Sequence, residues 1–168
     1  MKKQSGFSLI ELLIVVAIIL IIAAIAIPNL MRSKMAANES SAVSALRTIN
    51  TAEVTYSTVY PGVGYSNDLP SLGGTPAVCS VPAGASSATA CIIDDILATA
   101  STVGTAKSGY YYTYTLGAVV GGINTSYTVT ATPTVLGTAG QRYFFTDQSG
   151  VLRYALAGPA TLASSAIQ

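Results

Sequence analysis

The chain has 168 residues, enough for one ordinary globular domain and one long additional element. Only 9% of them are charged, against about 25% in an average soluble domain. The formal net charge is +1, so no long-range field draws in nucleic acid or acidic substrates.

The first predicted element is an apolar helix. Residues 7–27 carry a single charge, Glu11, and as a helix they span about 30 Å, the thickness of a bilayer's hydrocarbon core. Lys2 and Lys3 precede them, and the positive-inside rule keeps that end cytoplasmic and translocates the chain beyond residue 27. A secretory signal peptide cleaved near Ala24 or Ala26 is the ordinary alternative, but its apolar region runs only about 7–15 residues. A plain signal anchor satisfies hydropathy equally well. Glu11 is the informative residue, because a carboxylate in lipid costs about 2.5–3.5 kcal/mol and calls for a partner. Lys2 and Lys3 lie too far toward the water to serve, which leaves another chain as the source of a cation.

These residues carry a resemblance. Residues 2–28, reading KKQSGFSLIELLIVVAIILIIAAIAIP, are similar to the prepilin signal of type IV pilins and pseudopilins. The shared features are a short basic leader, a Gly-Phe junction, a Glu five residues into the mature chain and a long apolar helix. The resemblance implies that prepilin peptidase cuts between Gly6 and Phe7 and methylates the new amine of Phe7. Removing Lys2 and Lys3 from the eight basic residues leaves six against seven acidic ones. It also implies that Glu11 pairs with the Phe7 amine of a neighbouring subunit, so that two costly groups satisfy each other only in the correct axial register. Leu20 stands where the family commonly has Gly, and Leu favours helix over Gly by about 1 kcal/mol. Pro28 removes a backbone donor and is expected to kink the helix.

Beyond Pro28 the pattern becomes amphipathic. Ala45, Ile49, Ala52, Tyr56 and Val59 are spaced 4, 3, 4 and 3, with Ala42 and Leu46 widening the stripe. Arg32, Lys34, Glu39, Arg47 and Glu53 are read as lying off it, and Pro61-Gly62 ends the helix. Arg32 and Lys34 face lipid headgroups, acidic groups of neighbours or solvent.

Residues 61–108 are rich in Gly, Pro, Ser and Ala and read as a loop with one short helix near residues 94–100. Cys79 and Cys91 bracket a segment with almost no means of ordering itself. In an exported domain they are expected to form a disulfide, worth about 3 kcal/mol by chain entropy. From Gly109, strands are expected at residues 110–116, 126–132, 142–146 and 151–155, with Gly121-Gly122 in a connection and Asp147-Gln148-Ser149-Gly150 as a hairpin turn. Tyr110, Tyr112 and Tyr114 share one strand face and read as sheet packing. Asp94, Asp95 and Asp147 offer oxygen ligands, but no compact calcium loop surrounds them, so no metal is expected. Asn38 and Asn124 open glycosylation sequons.

Histidine is absent, which removes the commonest general base and metal ligand and excludes Ser-His and Cys-His pairs. No phosphate-binding glycine motif occurs either, so no cofactor and no enzyme activity are expected. The expected fold is α+β: a long N-terminal helix, transmembrane and then amphipathic, on a four-stranded antiparallel sheet. The expected division is a leader at 1–6, the helix at 7–60 with 7–27 as membrane and filament core, the disulfide loop at 61–108, and sheet and tail at 109–168. By resemblance the chain is a major or major-like pilin, held singly across the inner membrane before assembly into an extracellular homo-oligomeric pilus for adhesion, motility or DNA uptake. Its implied partners are prepilin peptidase, an assembly ATPase and a platform protein. The alternatives are a pseudopilin of a type II secretion system and a monomeric membrane-anchored binding protein, the latter leaving Glu11 unpaired.

Overall fold

A computed structural model describes residues 8–81 and 84–167. Its longest element is helix α1, Leu9–Val59, which continues through Leu20 and Pro28. The chain divides between Lys34 and Met35 into two compact units, the first containing the apolar part of α1 and the second the rest.

In the second unit, α1 buries one face. Ala42, Leu46, Ile49, Ala52 and Tyr56 are shielded from water, as the 3.6-residue period dictates. Val59, placed on the same stripe by spacing, is exposed where the helix ends. The opposite flank carries threonines whose hydroxyls are already used. Thr48, Thr51, Thr55 and Thr58 each donate to the carbonyl four residues earlier, at 3.1, 3.0, 2.9 and 2.8 Å.

The region after α1 holds more regular structure than the expected single short helix. Three one-turn helices, α2 (Leu69–Leu72), α3 (Pro76–Cys79) and α4 (Asp95–Ala98), precede a 3-10 turn at Val103–Thr105. Local capping explains two of them: the Asp68 side chain accepts from Ser71 N, and that of Asp94 accepts from Leu97 N. Proline at the start of α2 and α3 supplies the helical φ without losing a needed donor. Cys79 and Cys91 are bonded. Gly74 passes so close that a Cβ there would sit 2.6 Å from one sulfur and 2.8 Å from the other.

Seven strands come next: β1 (Tyr110–Leu116), β2 (Val119–Val120), β3 (Ile123–Asn124), β4 (Tyr127–Pro133), β5 (Tyr143–Asp147), β6 (Arg153–Ala155) and β7 (Ser165–Ala166). The main antiparallel sheet has the order β1-β4-β5-β6-β7, five strands rather than the four expected. The addition is the two-residue edge strand β7, too short to give a sequence period. The Gly121-Gly122 connection is itself a hairpin, β2 with β3, because both glycines adopt the positive φ that such a turn requires. In the β5–β6 turn, Gly150 takes φ 73°, and Asp147 Oδ1 accepts from Ser149 N at 2.9 Å.

The sheet covers the buried face of α1 with aromatic side chains. Tyr110, Tyr112, Tyr127, Val129, Ala131 and Phe144 join Leu46, Ile49 and Tyr56 in one core. Strict alternation along β4 puts Tyr127, Val129 and Ala131 inward, with the threonines between them only half-buried. Tyr114 and Tyr127 stack at 5.8 Å between ring centroids, so the tyrosine face is packing, as its period suggests.

Two carboxylates read as lying off the apolar stripe are buried instead. Glu39 accepts from the backbone N–H of Gln141 (2.8 Å) and Arg142 (3.2 Å) and from Arg142 Nε (2.8 Å). Beside it, Asn38 Nδ2 donates to Ala139 O at 2.8 Å. Together they fasten the β4–β5 loop to α1. Glu39 lies three residues before Ala42 and seven before Leu46, on the edge of the stripe, so burial results once a loop covers that edge. Glu39→Ala orphans two backbone donors and the half-exposed Arg142. It is expected to destabilise the head by about 2–3 kcal/mol, read as a lower midpoint in thermal or urea unfolding, while Arg142→Lys loses less.

Candidate functional site

The candidate site is the apolar end of α1. Gly6 and Phe7 lie outside the described residues. From Leu9 to Met31 the large apolar side chains are exposed on every face, from 45% at Val16 to 80% at Leu9. Among the described residues nothing covers them, and the helix is long and apolar enough to cross a membrane. An uncovered apolar surface of this extent needs either lipid or other protein around it.

Glu11 sits in the first turn of this helix. Its Oε2 accepts the backbone N–H of Ser8 at 2.9 Å, and Leu12 N bonds back to Ser8 O at 3.2 Å. This is one half of a capping box: the acid in the first turn satisfies a donor that helix geometry leaves free. The carboxylate therefore has a partner inside the chain, although among the described residues it gains no cation. The signal is present in Ser8-Leu9-Ile10-Glu11, an S-x-x-E pattern ahead of an apolar run. Leu20 and Pro28 both lie within unbroken helix. Pro28 has no N–H to donate to the carbonyl four residues back.

Other candidate residues prove to be structural. Asp94 caps α4 and pairs with Lys107 Nζ at 2.8 Å, while Asp147 holds the β5–β6 turn. Among the described residues no three His, Cys, Asp or Glu gather as metal ligands. The sequon amides are engaged: Asn38 Nδ2 bonds Ala139 O, and the buried Asn124 bonds Tyr65 O and Asn67 Oδ1.

Glu53 is a second buried acid that its residue type alone would place on the surface. It is fully shielded, and its oxygens accept from Ser66 N at 2.9 Å and Ser66 Oγ at 2.5 Å. Tyr114 OH donates to Ser66 O at 2.8 Å. The spacing holds the clue, since Glu53 lies four residues after Ile49 and three before Tyr56, both on the apolar face. Burial pushes the Glu53 carboxyl up, partly offset by the Ser66 hydrogen bonds. Burial, and then the charge of Glu53, also hold the Tyr114 hydroxyl well above its usual range.

The architecture is an exposed apolar N-terminal helix that continues into an α+β head. The chain carries the prokaryotic N-terminal methylation motif, matched over residues 1–27. It is 46% identical over 54 residues to the type IV major pilin protein PilA of Myxococcus xanthus, covering 32% of this chain and 24% of that protein. It is 55% identical over 40 residues to the type IV wide pilus major component PilA4 of Thermus thermophilus, covering 24% and 30%. It is also 38% identical over 64 residues to the type II secretion system core protein G of Vibrio cholerae, covering 36% and 44%. The chain spans less than half the length of each of these curated relatives. No solved structure matches it significantly.

A raised folded-state pKa means that the folded head binds the Glu53 proton more tightly than the unfolded chain. The stabilisation is fully present below the ordinary carboxylate value of 4.5 and is lost as pH rises through the higher folded value. The melting temperature of the head is expected to fall across that interval. Glu53→Gln is expected to flatten the fall, and an unchanged pH profile in the variant contradicts this assignment.

Proposed function

We propose that the chain is a structural subunit of a type IV pilus. The observation that carries this reading is the methylation motif on an apolar helix whose every face is uncovered. Similarity to two major pilins supports it, and the motif is matched across the expected cleavage junction. Prepilin peptidase removes residues 1–6, and the amine of Phe7 is methylated. The subunit waits in the inner membrane, with its head outside the cytoplasm. A cytoplasmic ATPase and a platform protein then drive its transfer into an extracellular filament.

Transfer exchanges lipid for neighbouring helices around residues 9–31, so the apolar surface stays dry throughout. Glu11 supplies the register. Among the described residues its carboxylate has the Ser8 N–H as partner, and a neighbour's Phe7 amine adds a positive charge. The protein works by assembly and catalyses no reaction. The second reading, a pseudopilin of a type II secretion system, is favoured by the matches to core protein G.

Glu11→Ala is expected to leave cleavage and methylation intact while lowering the yield of sheared surface filaments at least tenfold. Wild-type filament yield removes the registry role. Intact mass of the subunit in sheared filaments is expected to correspond to residues 7–168 with one added methyl and one disulfide. Processed subunit confined to the membrane fraction favours the pseudopilin reading.

A further inference from the structure

We propose that Arg32 and Lys34 form a cationic collar that binds the phosphate headgroups of anionic phospholipids at the C-terminal end of the span. The proposal rests on the reading of residues 9–27 as membrane-spanning. Both side chains are exposed, and among the described residues neither has an ion-pair or hydrogen-bond partner. Lys107 and Arg142, by contrast, are spent on the head's own acids.

Their position along α1 fits the headgroup layer. Arg32 lies five residues beyond Ile27 and Lys34 seven, about 7.5 and 10.5 Å along the axis. The polar layer beyond the hydrocarbon is about 5–7.5 Å deep. Side chains on a helix lean toward its N-terminus, which here means back toward the span, so both cations reach into that layer with their stems along apolar surface.

Their position around α1 selects the occupant. Residues two apart on a helix lie about 160° from each other, so Arg32 and Lys34 point to opposite sides. Asn29 and Ser33 lie between them on one side of the helix, with Met31 and Met35 on the other. One acidic protein surface meets one side of a helix and reaches one of these cations. Lipid surrounds the helix and reaches both, just as it meets the all-round apolar surface of residues 12–27. The collar also sets depth. Glu11 lies 16 residues before Ile27, about 24 Å along the axis, which places its backbone about 6 Å inside the opposite face of the hydrocarbon rather than at its centre.

The test reconstitutes the full chain in phosphatidylcholine vesicles containing phosphatidylglycerol. Electron paramagnetic resonance of spin-labelled lipids then gives the preference of the protein's lipid shell for phosphatidylglycerol over phosphatidylcholine. The wild-type chain is expected to prefer phosphatidylglycerol, less so at high salt, with the preference falling about fivefold for each of Arg32→Gln and Lys34→Gln and persisting in Arg32→Lys. An unchanged preference in the double glutamine variant overturns the collar. So does a double variant that loses filament assembly while its lipid preference is unchanged, an outcome that assigns the cations to an acidic protein partner. A chain that alkaline carbonate strips from the vesicles overturns the spanning helix together with the collar, whereas a carbonate-resistant chain without lipid preference overturns the collar alone.

Discussion

One helix has to satisfy two surroundings, and the rest of the structure depends on that constraint. Along residues 12–27, α1 is apolar on all sides and none of the described residues covers it. From Ala42 onward the same backbone is apolar on one face only, and that face lies beneath the sheet. The change is one of pattern, from continuous hydrophobicity to a 3.6-residue period, within one helix that loses a hydrogen bond only at Pro28. Pro28 and the polar collar mark where one regime gives way to the other.

The head compensates for a shortage of charge by placing its few charges with care. Glu39 and Glu53 lie fourteen residues apart, about four turns, so both project from neighbouring edges of the buried face of α1. Each receives backbone N–H groups from a loop, residues 141–142 for one and Ser66 for the other. Both loop segments are therefore tied to the helix by hydrogen bonds to buried carboxyl groups. The disulfide fastens the remaining low-complexity stretch.

Much of this is legible in the sequence because it rests on long periodic signals. The apolar run, the amphipathic stripe, the tyrosine-rich strand and the Asp147–Gly150 turn appear where residue type and spacing put them. The features that escape sequence reading are short or depend on distant partners. β7 has two residues, too few for a period, and the one-turn helices α2 and α3 arise from capping and proline within a loop. Glu39 and Glu53 read as solvent-facing because acids usually are, although their spacing places them beside the stripe. Only the folded loops supply the donors that make their burial tolerable. At Glu11, the missing cation masks a simpler local partner, the amide of Ser8.

The row of threonines on the outer flank of α1 has a further consequence. Thr48, Thr51, Thr55 and Thr58 return their hydroxyl protons to the helix's own carbonyls. Such a row is indifferent to hydration. It tolerates water because it is hydroxylated, and it loses water without leaving a donor stranded. A surface of that kind neither drives association nor resists it.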